Sequence, residues 1–460
     1  MQFPFPLPGA RLLNPPTPSL ADGCAIDFGT SNSALALPTS GGVRLVELEP
    51  GFVTMPTAVF YLADGPAHGA EPERLYGRAA VDAYVEGLEG RLMRSMKSIL
   101  GSPLVEQHTD VGGGRTVRYL DVITDCLRHL KRQGEAAAGR PLTRAVLGRP
   151  VFFVDDDPAR DRQAAAALAS AAMAVGFDEV RFQYEPIAAA FTHEATVTEE
   201  QLVLVADIGG GTSDFSLVRV GPARRERIER HDDILANHGV HVAGTDFDRR
   251  VSLAAILPLL GYGAPMPARP GESARTLPSG TFFDLATWHL INTVYAPARL
   301  AEWRAMRGWF ADPPQHRRLM RVLDDRLGHA LAAAAEQAKI DVAMNGRARI
   351  ALDDVEPGLA SALDAAGAAQ VLLADQARIV AAAHETLRQA GVSADAVQAV
   401  FFTGGSTGLG SLVAALSDAF PAALAVRGDR FASVASGLCL HAGRVFSGAG
   451  PSRGRAAPGG

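Results

Sequence analysis

A chain of 460 residues, 47% hydrophobic and 20% charged, is long enough for two or more domains with sizeable cores and has the composition of an ordinary globular protein. Its formal net charge of −6, with no basic run, excludes the electrostatic footprint of a nucleic-acid binder, and no apolar run is long enough to span a bilayer. Three widely separated cysteines, Cys24, Cys126 and Cys439, have no metal-type spacing and suit a reducing compartment, so a cytoplasmic protein is expected.

Residues 1–21 are broken by prolines, lack an apolar signal core and read as an extended arm. From 22 to 62 apolar runs alternate with turns, which predicts strands over 24–27, 33–37, 43–48 and 57–62. Within them runs a strand ending in Asp27, then Gly29, Thr30, Ser31 and Asn32, then a second strand. The pattern of 77–101 is mostly helical and contains Lys97. A helix is predicted over 119–134, a strand over 144–154, an alanine-rich helix from 157 or 158 to 175 stopped by Gly176, and a strand over 180–184 that delivers Glu185. Pro186 suits the first turn of a helix over 187–193.

The strand-turn-strand device then recurs at 203–220, with Asp207, Gly209, Gly210, Gly211, Thr212, Ser213 and Asp214 at the turn. Glycine lets a backbone turn this tightly and present bare N–H groups to an anion. Acidic groups beside such a turn would repel a phosphate unless a cation lay between them, so the pair of hairpins reads as a phosphate grip bridged by Mg²⁺. Two related hairpins suggest two pseudo-equivalent lobes facing one nucleotide. A single glycine turn would equally serve a plain hairpin; the repetition is what favours the functional reading.

Further along, 227–235 reads as a strand, and Asp246 and Asp248 lie in a turn opening a helix over 247–260, where Gly244 would leave the helix N-terminus open to phosphate. Residues 261–325 begin loop-like and carry all three tryptophans, Trp288, Trp303 and Trp309; they read as an insertion with its own small core or as a partner surface. Helices are predicted over 327–344, 363–389 and 433–446, and a buried strand over 399–403 aimed at Gly404 and Gly405. The tail from 447 to 460 has a disordered composition. Only three of the 44 basic residues are lysine (Lys97, Lys131 and Lys339), so each lysine stands out against an arginine background.

Five motifs carry a family resemblance. The stretch from Asp27 to Ser33 resembles the first phosphate motif of the actin, sugar kinase and heat-shock ATPase superfamily, and that from Asp207 to Asp214 the second, in wording closest to DnaK-type heat-shock chaperones. Tyr184-Glu185-Pro186-Ile187 resembles the hinge motif, Gly244-Thr245-Asp246-Phe247-Asp248 the loop after it, and Gly404-Gly405-Ser406 the adenosine motif. The tryptophan-rich segment resembles the YegD-like branch.

The resemblance implies an α/β, two-lobed actin-like ATPase with a duplicated ribonuclease H-like motif: lobe I over 22–200 with 428–446 returning to it, and lobe II over 201–427. ATP or ADP with Mg²⁺ would sit in the central cleft. It implies Asp27 and Asp207 as water-mediated Mg²⁺ ligands, Lys97 and Glu185 as the residues placing the attacking water, and Thr212 beside them. Gly29, Thr30, Ser31, Asn32, Gly209, Gly210, Gly211, Thr212 and Gly244 would hold phosphates; Glu336, Lys339, Gly404, Gly405 and Ser406 would hold the adenosine. The sequence departs from the chaperone pattern at Ile340 (an adenine-stacking arginine there), Ala343, Gly408 and Gly410. Pro150 matches a proline coupling nucleotide to conformation. Protein clients or co-chaperone-like partners follow from the family, with no nucleic-acid or membrane partner and the oligomeric state left open. No peptide-binding domain follows the last helix, so capture of unfolded peptides is not expected of this chain. A small-molecule or sugar kinase and a filament-forming ATPase are the competing readings.

Overall fold

The computed structural model describes residues 23–63, 73–112, 114–154, 157–267, 275–429 and 432–447; the expected arm, and the expected tail apart from Ser447, lie outside them. The first half runs β1 (Gly23–Phe28), β2 (Asn32–Thr39), β3 (Gly42–Leu45), β4 (Thr54–Pro56), β5 (Ala58–Leu62), β6 (Arg74–Tyr76), α1 (Gly77–Val85), β7 (Gly90–Arg94), β8 (His108–Gly112), β9 (Arg115–Arg118), α2 (Tyr119–Ala138), β10 (Arg144–Arg149), α3 (Pro158–Ala174), β11 (Glu179–Tyr184) and α4 (Glu185–Glu194). The second half runs β12 (Gln201–Ile208), β13 (Ser213–Val220), β14 (Ile234–Val240), α5 (Gly244–Val251), α6 (Gly280–Ala286), α7 (Pro297–Ala305), α8 (Pro313–Asp324), α9 (Gly328–Asn345), β15 (Arg347–Ala351), β16 (Ala360–Asp364), α10 (Ala365–Ala390), β17 (Ala399–Thr403), α11 (Gly410–Ala419), β18 (Leu424–Arg427) and α12 (Ser433–Ser447).

Two sheets repeat one topology. The first has the order β3-β2-β1-β10-β11, with β4 also paired to β2; the second has the order β14-β13-β12-β17-β18. In each, three antiparallel strands in sequence order are followed by two that pair in parallel. Strands β1, β10, β12 and β17 sit inside their sheets and are almost continuously buried, which is why they read as unbroken apolar runs. This duplication is the two-lobed actin-like architecture.

Helices α4 and α12 lie between the sheets. Ala25, Ala36 and Val146 of the first sheet share one core with Val203, Val205 and Phe401 of the second, through Ile187 and Phe191 of α4 and Ala435 and Leu438 of α12. The helices cross so closely that a Cβ on Gly437 would stand 1.9 Å from the Ala188 carbonyl oxygen. Thus α12 returns from the end of the chain to pack on β1, β2 and β10.

Several expected elements differ. In 77–101 the helix stops at Val85; Gly87 and Gly90 break the pattern, β7 follows, and a short 3₁₀ turn, Met96–Ile99, carries Lys97. The strand expected to reach 154 ends at Arg149, before Pro150, which has no N–H to continue the ladder. The strand expected from 227 begins at Ile234, because Arg230 and Asp233 are drawn into a buried ion cluster. The helix expected from 363 starts at Ala365; the residues before it belong to the β15–β16 hairpin, and Asp364 caps the helix by accepting from the Gly367 N–H at 2.7 Å.

The tryptophan-bearing segment has no separate core. Leu277, Phe282, Leu285, Val294, Trp303, Phe310 and Leu319 pack in one cluster with Leu331, Ala335, Ala338 and Val342 of α9. Among the described residues no helix is long and apolar enough to cross a membrane.

Candidate nucleotide site

The two hairpin tips face each other. The β1–β2 tip is tight: a Cβ on Gly29 would stand 2.2 Å from the Asn32 carbonyl oxygen, and the Thr57 N–H donates to the Ser31 carbonyl at 2.9 Å. The β12–β13 tip is closed by the Gly209 N–H donating to the Thr212 carbonyl at 3.0 Å. A Cβ on Gly210 would lie 2.8 Å from Ser31 Oγ, so the tips approach within side-chain reach. Thr30, Asn32 and Gly211 are exposed to the space around them.

Behind the tips the structure brings together Lys97, Glu185, Asp27 and Asp207. Lys97, 8% exposed, points its ammonium at Glu185 Oε1, 2.5 Å away. The turn that aims it begins at Ser95, whose φ of +59° lies in the left-handed region. Glu185 is delivered by the junction of β11 and α4, with Gly148 leaving room for it: a Cβ there would be 3.1 Å from Glu185 Cγ. Burial, then the Glu185 charge, pushes Asp27 up to about 7, against the pull of Lys97. Burial, then Asp214 and Glu185, pushes Asp207 up to about 8. Burial also raises Asp214, although the Thr212 hydroxyl donates to it at 2.7 Å and works the other way. Burial disfavours the Lys97 ammonium, but Glu185 and Asp27 outweigh it and raise that group.

One lysine therefore answers four buried or half-buried carboxylates. This excess of negative charge suits an added cation. Among the described residues no group of three or more His, Cys, Asp or Glu side chains is placed to hold a metal ion.

The third motif closes the site from lobe II. Gly404 has φ +86°, and a Cβ there would stand 2.4 Å from the Ile208 carbonyl oxygen and 2.7 Å from Asp207 Oδ1. Ser406 Oγ donates to the Gly209 carbonyl at 2.7 Å, tying this motif to the glycine hairpin; Gly405 beside it is exposed. The N-terminus of α5 is not open as expected: the N–H groups of Gly244 and Thr245 donate to the carbonyls of Gly209 and Gly210 at 3.2 and 2.8 Å. It braces the glycine hairpin, because those first-turn donors need acceptors and the hairpin carbonyls are within reach.

On α9, Lys339 reaches Asp248 Oδ1 at 2.7 Å and the Gly244 carbonyl at 3.4 Å. Burial drives Asp248 up to about 6 in spite of that ammonium. Glu336, Ile340 and Met344 lie exposed on the same helix, with Ile340 39% and Met344 73% exposed.

Sequence reasoning missed a cross-lobe stack. Tyr84 of α1 stacks on Trp288 with centroids 5.0 Å apart, His329 of α9 meets both rings edge-on at 5.0 Å, and the Arg94 guanidinium lies 4.5 Å over Trp288. Asn292 joins it, hydrogen-bonded to the Tyr84 hydroxyl and to His329 Nε2. The signal available was the concentration of tryptophan, but nothing local says which tryptophan turns outward to the other lobe.

A family model described as Hsp70 protein matches residues 24–254, half of the 460-residue chain. The chain belongs to the Hsp70 family. Two curated relatives, both called chaperone protein HscA homolog, are 30% identical to it: one from Methylobacillus flagellatus over 236 residues, one from Azoarcus sp. over 234. Each match covers 49% of this chain and 36% of the relative, so the chain spans well under two thirds of these chaperones. Both aspartate hairpins, Lys97 and Glu185 lie inside the Hsp70 match; Glu336, Lys339 and the Gly404–Ser406 motif lie beyond it.

Proposed function

We propose that this Hsp70-family chain binds ATP or ADP with Mg²⁺ between its lobes, hydrolyses ATP there, and acts as a nucleotide-driven switch on protein clients with co-chaperone-like partners. The observation that carries the reading is the buried Lys97–Glu185 pair set beside Asp27 and Asp207 at the two hairpins.

Phosphoryl transfer to water needs little covalent help and much positioning and charge stabilisation. Glu185 would orient the attacking water and Lys97 would face the γ-phosphate oxygens. The N–H groups of Gly29, Gly209, Gly210 and Gly211 and the side chains of Thr30, Ser31, Asn32 and Thr212 would hold the phosphates. Asp27 and Asp207 would hold Mg²⁺ through water; when bound, the ion supplies positive charge between them and the phosphates. Gly404 and Gly405 allow close approach of the nucleoside, Ser406 keeps that turn on the glycine hairpin, and Glu336 and Lys339 would border the sugar. We place the chain in the YegD-like branch on its tryptophan-bearing segment, and in the cytoplasm on its three buried free cysteines.

Calorimetric titration with ATP in Mg²⁺ and in EDTA tests this. Binding that needs the metal, followed by single-turnover release of phosphate, is the expected result. Equal affinity in EDTA would remove the cation bridge, and binding without hydrolysis would remove the catalytic role.

A further inference from the structure

The helix that begins with Glu185 is fastened at both ends by one turn of lobe II. At its last residue, Glu194 accepts from Arg230 through both oxygens, at 2.8 and 3.0 Å, and from the Gly221 N–H at 3.1 Å. Just before its first residue, the Tyr184 hydroxyl meets His231 Nδ1 at 3.1 Å, with the rings 5.7 Å apart. Arg230 and His231 are neighbours in the turn between β13 and β14. Arg230 is fully buried, and its guanidinium also pairs with Asp233, which in turn accepts from Arg224 and Arg227. The guanidinium groups of Arg230 and Arg444 both lie over the ring of Phe191, in the middle of α4, at 5.4 and 4.7 Å.

Buried ion clusters return little net stability, because desolvation cancels most of the attraction. What a bidentate guanidinium pair does provide is one fixed orientation. Here that orientation is imposed on a helix of 10 residues whose far end holds the Lys97 ammonium.

We propose that Arg230 and His231 are positioning residues for the Lys97–Glu185 pair: lobe II sets the place of α4, and α4 sets the place of the lysine. The proposal rests on the ATPase reading for its consequence, but its geometry can be tested without it. The chain has only three lysines, so acylation of native protein followed by mass spectrometry reports Lys97 separately from Lys131, which is paired with Glu135 at 2.5 Å.

Two variants serve. His231→Ala changes an exposed side chain and should fold; Arg230→Lys keeps the charge but loses the fork. In both, Lys97 should acylate several-fold faster while Lys131 stays at the parental rate. Single-turnover ATP hydrolysis should fall by about tenfold or more with nucleotide affinity unchanged, since small misplacements of reacting groups cost this much. A merely structural role would lower the melting temperature and leave the Lys97 rate of the folded protein alone. Parental Lys97 labelling in folded His231→Ala overturns the proposal. If the parent binds no ATP or hydrolyses none, the proposed function falls while the labelling still decides the positioning role.

Discussion

The ammonium of Lys97 stands 2.5 Å from Glu185 Oε1, one presented by a 3₁₀ turn after β7 and the other by the first residue of α4. Lys97 is only 8% exposed, and a planar guanidinium needs more room than an ammonium. Lys97→Arg is expected to keep ATP affinity, because both hairpins would still hold the phosphates under the proposed function, and to lose hydrolysis by about a hundredfold or more. Titration and single-turnover hydrolysis on one preparation separate the two effects. A parental rate would show that Lys97 takes no part.

Gly404 and Gly410 differ sharply in what they tolerate. At Gly404 the backbone is left-handed and a Cβ would collide with the Ile208 carbonyl; at Gly410 nothing lies within 4 Å. Gly404→Ala should destabilise by about 1–3 kcal/mol or more through strain and the displaced strand end, and weaken nucleotide binding. Gly410→Ala should lie within about 1 kcal/mol of the parent, on the stabilising side. Urea unfolding with and without ATP compares them; equal effects would mean that the turn relaxes freely.

Two tryptophans in the same segment should behave oppositely. Trp303 is 3% exposed, with its indole N–H donating to Thr281 at 3.0 Å, and Trp303→Ala should cost about 3–5 kcal/mol of stability. Trp288 instead spans the lobes through Tyr84 and Arg94. Trp288→Ala should cost less stability and speed nucleotide release, measured by stopped flow with a fluorescent ADP. Because the segment shares its core with α9, deleting 261–325 should unfold lobe II.

Acid should loosen the protein through two buried histidines. Burial lowers His329 from 6.5 to about 4, and burial with the Arg444 and Arg230 charges does the same to His441. Between those values the unfolded chain binds more protons than the folded one, so their contribution is complete above about 6.5 and is lost as pH falls towards 4. Melting curves across this window should show the decline, and His441→Phe, which keeps a ring against Phe191, should flatten it. An equal slope in that variant would clear His441 of the effect.

The strand-aspartate-glycine hairpins were legible because everything they need is local: buried-type strands, a tight turn and bare N–H groups within a few residues of one another. For the same reason β17 is found where its apolar run stands, over Ala399–Thr403. Elements whose character depends on distant partners were misjudged. The stretch 227–233 looked like a strand until Arg230 was withdrawn into contact with Glu194 and Asp233, and Gly244 looked free until its N–H was claimed by the Gly209 carbonyl.

From sequence alone came the two repeated hairpins, the family they resemble and the lysine that stands out in an arginine-rich chain, since spacing and residue type are sufficient for each. Tertiary structure alone decided which charges share a low-dielectric site, which tryptophan faces the other lobe, and that both ends of α4 answer to lobe II. Those features arise when residues far apart in the chain, such as Tyr84 and Trp288 or Glu194 and Arg230, are desolvated together. Their strength depends on burial and mutual distance, which are set only when the whole chain has packed.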